Sequence, residues 1–131
     1  MYMKRAKFKT FDNPGGFIEQ HFFGIQTSDS VIAAVNDLVE RAKKLNAKNQ
    51  PVFILVCVEQ VPKIDISGKM APARKQAVQA MRTAQYDRIA IYGNTAVQIM
   101  VNTLVLIAGK RDKIRVFGDR VEALRWLKND K

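Results

Sequence analysis

The chain has 131 residues, 47% of them hydrophobic and 26% charged, with only 4 Pro, 7 Gly and a single Cys. That length suffices to bury about two-thirds of the unfolded surface in one core, the lone Cys57 leaves no internal disulfide, and no segment reaches the roughly 20 apolar residues of a membrane span. Lys and Arg number 22 against 12 Asp and Glu, a net charge of +10, which opens nucleic acid, an anionic lipid or an acidic protein as partners.

In chain order, Met3 to Phe11 alternates, setting Met3, Arg5, Lys7 and Lys9 against Lys4, Ala6, Phe8 and Thr10, as the two faces of a strand do. Asp12-Asn13-Pro14-Gly15-Gly16 follows. Proline fixes φ and glycine tolerates positive φ, so this cluster predicts a turn. Phe17 to Ile25, rich in Phe and Ile, then returns as the second strand of an N-terminal β-hairpin. The basic start has no apolar stretch after it, so a secretory signal is not expected.

From Thr27 the period turns helical: Val31, Ile32, Val35, Leu38, Val39, Ala42 and Leu45 fall on one face, and Asp37, Glu40, Arg41 and Lys44 on the other. Thr27 or Ser28 can cap the start, and Asn49-Gln50-Pro51 ends the unit. The cations Arg41, Lys43, Lys44 and Lys48 near its end complement the helix dipole. Val52 to Val58 is apolar without interruption, which places it in the middle of a sheet covered on both faces. Cys57 lies within it, so its thiol is expected buried and reduced, as in the cytoplasm.

Pro72 to Ala84 reads as a second helix with Ala77, Val78, Met81 and Ala84 inward, and Arg88 to Gly93 as a strand. Thr95 to Ala108 is a third helix in which only Gln98, Asn102 and Thr103 are polar after Thr95. A helix apolar nearly all round needs cover on more than one side, so Val97, Met100, Val101 and Leu104 form a candidate apolar interface with another helix, a second copy of the chain, a partner or a lipid-like ligand. Ile114 to Phe117 is a short strand preceded by the basic Lys110, Arg111, Lys113 and Arg115. Asp119 opens a last helix with Glu122 at capping-box spacing; Val121, Leu124 and Leu127 are expected inward, with Trp126 flanking. The order ββαβαβαβα predicts a single α/β domain over residues 1–131, with a mostly parallel sheet.

Chemistry-bearing residues are sparse. His21 has no second His, CxxC or HExxH beside it, and zinc needs three or four ligands, so no metal and no cofactor is expected. Cys57 and His21 offer a formal nucleophilic pair, set against the commoner role of a strand thiol as packing. No GxxxxGK[ST] or GxGxxG occurs. Gly93-Asn94-Thr95, at a strand-to-helix turn, is the nearest anion cradle, or simply a helix cap.

Two stretches carry a family resemblance. Glu59-Gln-Val-Pro-Lys-Ile-Asp-Ile-Ser-Gly-Lys-Met70 resembles the strand-to-helix segment of STAS domains and anti-sigma factor antagonists, which carry an Asp-Ser-Ser-Gly signature there. Tyr86 to Gly93, Gly109 to Phe117 and Glu122 to Leu127 look like the SpoIIAA-like subgroup, and the likeness spans roughly Phe17 to Leu127. It implies a non-catalytic regulatory module docking a protein partner through Asp65, Ser67 and Gly68, with Ser67 in the place of the family's phosphorylated Ser and Ile66 in place of the Ser before it. Phosphate at Ser67 would add between one and two negative charges to that surface. A small-ligand carrier using the third helix is the alternative. Nucleic acid ranks behind both: the charge supports it, but there is no aromatic–basic RNA signature and no helix-turn-helix pattern.

Overall fold

The computed structural model describes residues 7–61, 75, 79, 82–93 and 113–128. Its elements are β1 (Lys7–Asn13), β2 (Phe17–Phe23), α1 (Ser28–Ala47), β3 (Phe53–Gln60), β4 (Arg88–Gly93), β5 (Ile114–Phe117) and α2 (Arg120–Lys128). The strands form one sheet in the order β1-β2-β3-β4-β5. Only β1 and β2 pair antiparallel; β2 to β5 run parallel.

The hairpin reverses where the turn chemistry placed it, although β1 runs on to Asn13 instead of stopping at Phe11. Asn13 Oδ1 accepts the Gly15 amide at 2.7 Å, its carbonyl accepts the Gly16 amide at 3.0 Å, and Gly16 takes φ of 94°. These bonds close the turn so tightly that Asp12 and Asn13 still pair with Ile18 and Phe17.

Thr27 caps α1: its hydroxyl accepts the Ser30 amide at 3.3 Å while Ser30 Oγ accepts the Thr27 amide at 2.9 Å. Such a reciprocal cap is worth about 1 kcal/mol. At the other end Gln50 N donates to Leu45 O and Asn49 N to Asn46 O, with Asn49 left-handed at φ 56°. This is a Schellman closure, with Asn in the position that glycine usually fills.

The sheet is packed on both faces because successive side chains alternate sides. On one face Ile18, Ile54, Val56, Val58, Ile89, Ile91 and Ile114 meet Val39 and Ala42 of α1. On the other, Phe17, Leu55, Cys57, Ala90 and Tyr92 meet Ala123 and Leu127 of α2. Burying a side chain such as Leu127 contributes about 2 kcal/mol. β3, buried from Ile54 to Val58, is the covered central strand its composition predicts.

Three expectations need correction or restriction. Val121 is 65% exposed: α2 turns inward the face bearing Arg120, Ala123, Leu124 and Leu127, so Val121 falls outside. The predicted second helix overshoots, since Arg82 and Thr83 form a turn and buried Ala84 a bend, while Lys75 and Gln79 are helical and exposed. The rest of that helix, the whole third helix and the strand start Met3 to Ala6 lie outside the described residues. No helix among the described residues is long and apolar enough to cross a membrane.

Candidate functional site

Strand alternation carries Glu19 and His21 of β2 to the α2 face, along with Cys57 of β3 and Tyr92 of β4. The register sets His21 beside Cys57 and Cys57 beside Tyr92. These side chains stand toward the C-terminal ends of parallel strands, where open α/β sheets hold ligands.

Glu19 is the centre of the group. Its side chain is only 4% exposed, yet it receives Arg120 from the start of α2, with Nη1 2.8 Å from Oε2 and Nη2 3.2 Å from Oε1. His21 Nε2 lies 2.5 Å from Oε2, and Asn13 Nδ2 donates to Oε1 at 2.9 Å. Burial alone would raise the Glu19 pKa; the bonds from Arg120, His21 and Asn13, with the charge of Arg120, outweigh it and hold the carboxyl at about 2 against an ordinary 4.5. The hydrogen bonds to Glu19, and then that to Tyr92, raise Arg120 in turn. The carboxylate and guanidinium hold each other in the charged form.

From Arg120 the bonds run on across the sheet. Its Nη1 donates to the Tyr92 hydroxyl at 3.2 Å, Tyr92 stands opposite Cys57 in the β3–β4 register, and Cys57 Sγ donates to Glu59 Oε1 at 3.6 Å. Burial pushes the Tyr92 phenol up to about 12 and raises the Cys57 thiol as well. A raised thiol pKa is the reverse of what a nucleophilic cysteine needs. The fold thus makes His21 and Cys57 neighbours, but His21 engages Glu19 and Cys57 engages Glu59.

Outside this group, no described helix lies over the hairpin side of this face. α2 lies over β3, β4 and β5. Toward β1, Phe11, His21 and Phe23 stand in a row, their ring centroids 6.0 and 6.3 Å apart and their planes within 10° and 13° of parallel. Lys9 Nζ sits 5.7 Å from the Phe11 ring centroid. Lys7 pairs opposite Phe23 and Lys9 opposite His21, so cations and rings share this surface. Phe23 is 38% exposed, and Lys7 and Lys9 are exposed too.

Of the residues singled out from sequence, Gly93 ends β4 at φ 124°, and a Cβ there would come within 2.6 Å of the Glu59 amide nitrogen. It is a glycine because β3 passes against it. Asp65, Ser67 and Gly68, Asn94 and Thr95, and Val97, Met100, Val101 and Leu104 lie outside the described residues. A hollow of about 190 Å³ lined by Gly15, Phe17, Phe53, Leu127 and Lys128 is smaller than the roughly 300 Å³ at which small-molecule sites begin. No group of three or more metal-ligating side chains is found among the described residues.

Sequence reasoning missed Glu19, Tyr92 and Arg120 as a group. The one available signal was period two in Phe17-Ile-Glu-Gln-His-Phe-Phe23, which puts Glu19 and His21 on one face. Nothing local announces that Arg120, 101 positions away, will meet them.

Comparison with protein-family models and with curated proteins finds no match. Among solved structures the chain is similar to an uncharacterized protein of the DUF3478 family from Shewanella loihica PV-4, which has a SpoIIAA-like fold. The two are 14% identical, superpose with a TM-score of 0.61, and align over 97% of this chain and 98% of that one. The likeness is one of fold, and the SpoIIAA-like architecture implied by the sequence resemblance is the architecture of this chain.

Proposed function

We propose that the chain is a single STAS-like regulatory domain that works in the cytoplasm without catalysis, docking a protein partner through the loop carrying Asp65, Ser67 and Gly68. The observation that carries this reading is the SpoIIAA-like fold, matched over 97% of the chain, together with the position of β3, whose C-terminal end at Gln60 leads into that loop. The polar groups at this end of the sheet support it. Glu19 and Arg120 are held charged by each other, and burial keeps the Cys57 thiol protonated, so none is poised as general base or nucleophile. Ser67 then serves as the switch, phosphate there changing the charge of the docking surface.

Affinity capture from the native cell with wild-type chain, Ser67→Ala and Ser67→Asp tests this. A partner held by wild type and Ser67→Ala and lost with Ser67→Asp is the expected result. Equal recovery with all three removes Ser67 and its loop from the interface.

A further inference from the structure

The row of rings on the hairpin lies apart from the packed interior. Phe11 and Phe23 belong to neither core cluster, and the side chain of His21 is 25% exposed. Phe23 is exposed and Phe11 half-buried on a face that no described helix covers, and such apolar surface is disfavoured in water. These rings are also ordered: two successive pairs, nearly parallel, about one ring-width apart, with Lys7 and Lys9 set among them by the register.

The described acids on or near the hairpin are engaged or turned aside. Glu19 is buried beneath Arg120 and His21. Asp12, opposite Ile18, points to the other face and pairs with Arg41. Glu59 lies one strand further in, on β3, where it accepts the Cys57 thiol.

Flat apolar plates interleaved with fixed cations match a polymer that offers a flat ring and a negative charge in each repeat. We propose that this face of the hairpin binds single-stranded nucleic acid, with bases stacked on Phe11, His21 and Phe23 and phosphates against Lys7 and Lys9. An acidic peptide satisfies the lysines but leaves the rings unused. A second copy of the chain brings Lys7 and Lys9 against their own equivalents in a molecule of net charge +10. The sequence conceals this surface, because its rings come from two antiparallel strands and become a row only on folding. The proposal concerns a different surface from the Ser67 loop and does not rest on it.

The test is fluorescence anisotropy of the full chain with labelled oligouridylate and oligothymidylate of about 12 nucleotides, within the site sizes that stacking folds cover. The expected result is binding that weakens steeply between about 50 and 200 mM salt. Phe23→Leu keeps the apolar bulk and removes the ring plane, and should weaken binding between about 5- and 150-fold; Phe23→Trp should retain it. Lys7→Ala with Lys9→Ala should lower the slope of log affinity against log salt by about 1.4, two contacts at about 0.7 each. Circular dichroism melts of each variant separate loss of binding from loss of fold. The proposal is overturned by no binding at the lower salt, by binding that Phe11→Leu and Phe23→Leu leave unchanged, or by equal binding of polyglutamate. It is overturned too if these variants lose a captured protein partner while the wild-type chain ignores both oligonucleotides, which makes the face a protein surface and leaves the Ser67 result to stand by itself.

Discussion

Arg120, the first residue of α2, grips both carboxylate oxygens of Glu19 in β2, closing a loop of 101 positions between the hairpin and the last helix. Two parallel N–H to oxygen bonds fix distance and orientation together, so the pair helps decide where α2 lies across the sheet. Glu19 is 4% exposed and Arg120 40%, which makes the carboxylate the vulnerable member.

Removing Arg120 therefore strands a buried charge. Arg120→Met is expected to cost about 3 kcal/mol, the lower end for breaking a buried pair, because His21 and Asn13 still hold Glu19. Glu19→Gln with Arg120→Met should cost less than the two single changes added, with a coupling of about 1–3 kcal/mol. Urea unfolding of the four proteins measures the cycle. A single-variant cost within about 0.5 kcal/mol of zero would place the pair among screened surface bridges.

Acid titration probes the same pair. Glu19 has its folded pKa depressed to about 2 from 4.5, so the folded state favours the ionised form. Its stabilisation is fully present above pH 4.5 and is lost as pH falls through that value toward 2. At about 1.4 kcal/mol per pKa unit the loss amounts to roughly 3 kcal/mol. Denaturant midpoints between neutral pH and pH 2 should fall more steeply for wild type than for Glu19→Gln. Parallel curves would show that Glu19 titrates as it does in the unfolded chain.

The strands were legible in the sequence because each carries its own signal. Ile114 to Phe117 and Arg88 to Gly93 begin and end as read, and the unbroken apolar run of β3 announces burial on both faces. Where a signal depends on a distant residue, reading fails. Val121 looks inward on its apolar character and spacing alone, and only the buried Glu19 explains why Arg120 faces the sheet in its stead. The site divides in the same way. His21 and Cys57 were each visible, but their adjacency depends on the β2 to β3 register, which no local pattern specifies.

Gly93 tests whether the end of β4 is a structural close approach. Its φ of 124° is a region that side chains disfavour, and a Cβ would meet Glu59 N at 2.6 Å and Val58 C at 2.9 Å, both backbone atoms. Gly93→Ala must therefore displace β3 from β4 or distort the strand end. The expected loss is about 3 kcal/mol, combining backbone strain and overpacking, read as a lower melting temperature. Unchanged melting would show that the β3–β4 spacing yields easily.

Cys57 separates a docking module from a thiol enzyme most directly. The residue is 4% exposed, burial is the largest influence raising its pKa, and Sγ donates to Glu59 Oε1 at 3.6 Å. Alkylation requires the thiolate and an open approach, and the folded chain denies it both. Iodoacetamide at pH 8 should modify the native protein on the order of a hundredfold more slowly than the urea-unfolded chain, since reaction must wait for local opening. Cys57→Ala should leave partner capture intact while lowering stability modestly through the packing lost from the core cluster it shares with Leu55, Ala90 and Tyr92. Labelling as fast in the folded as in the unfolded protein would mean that His21, one strand away, activates the sulfur, and the non-catalytic reading would have to be given up.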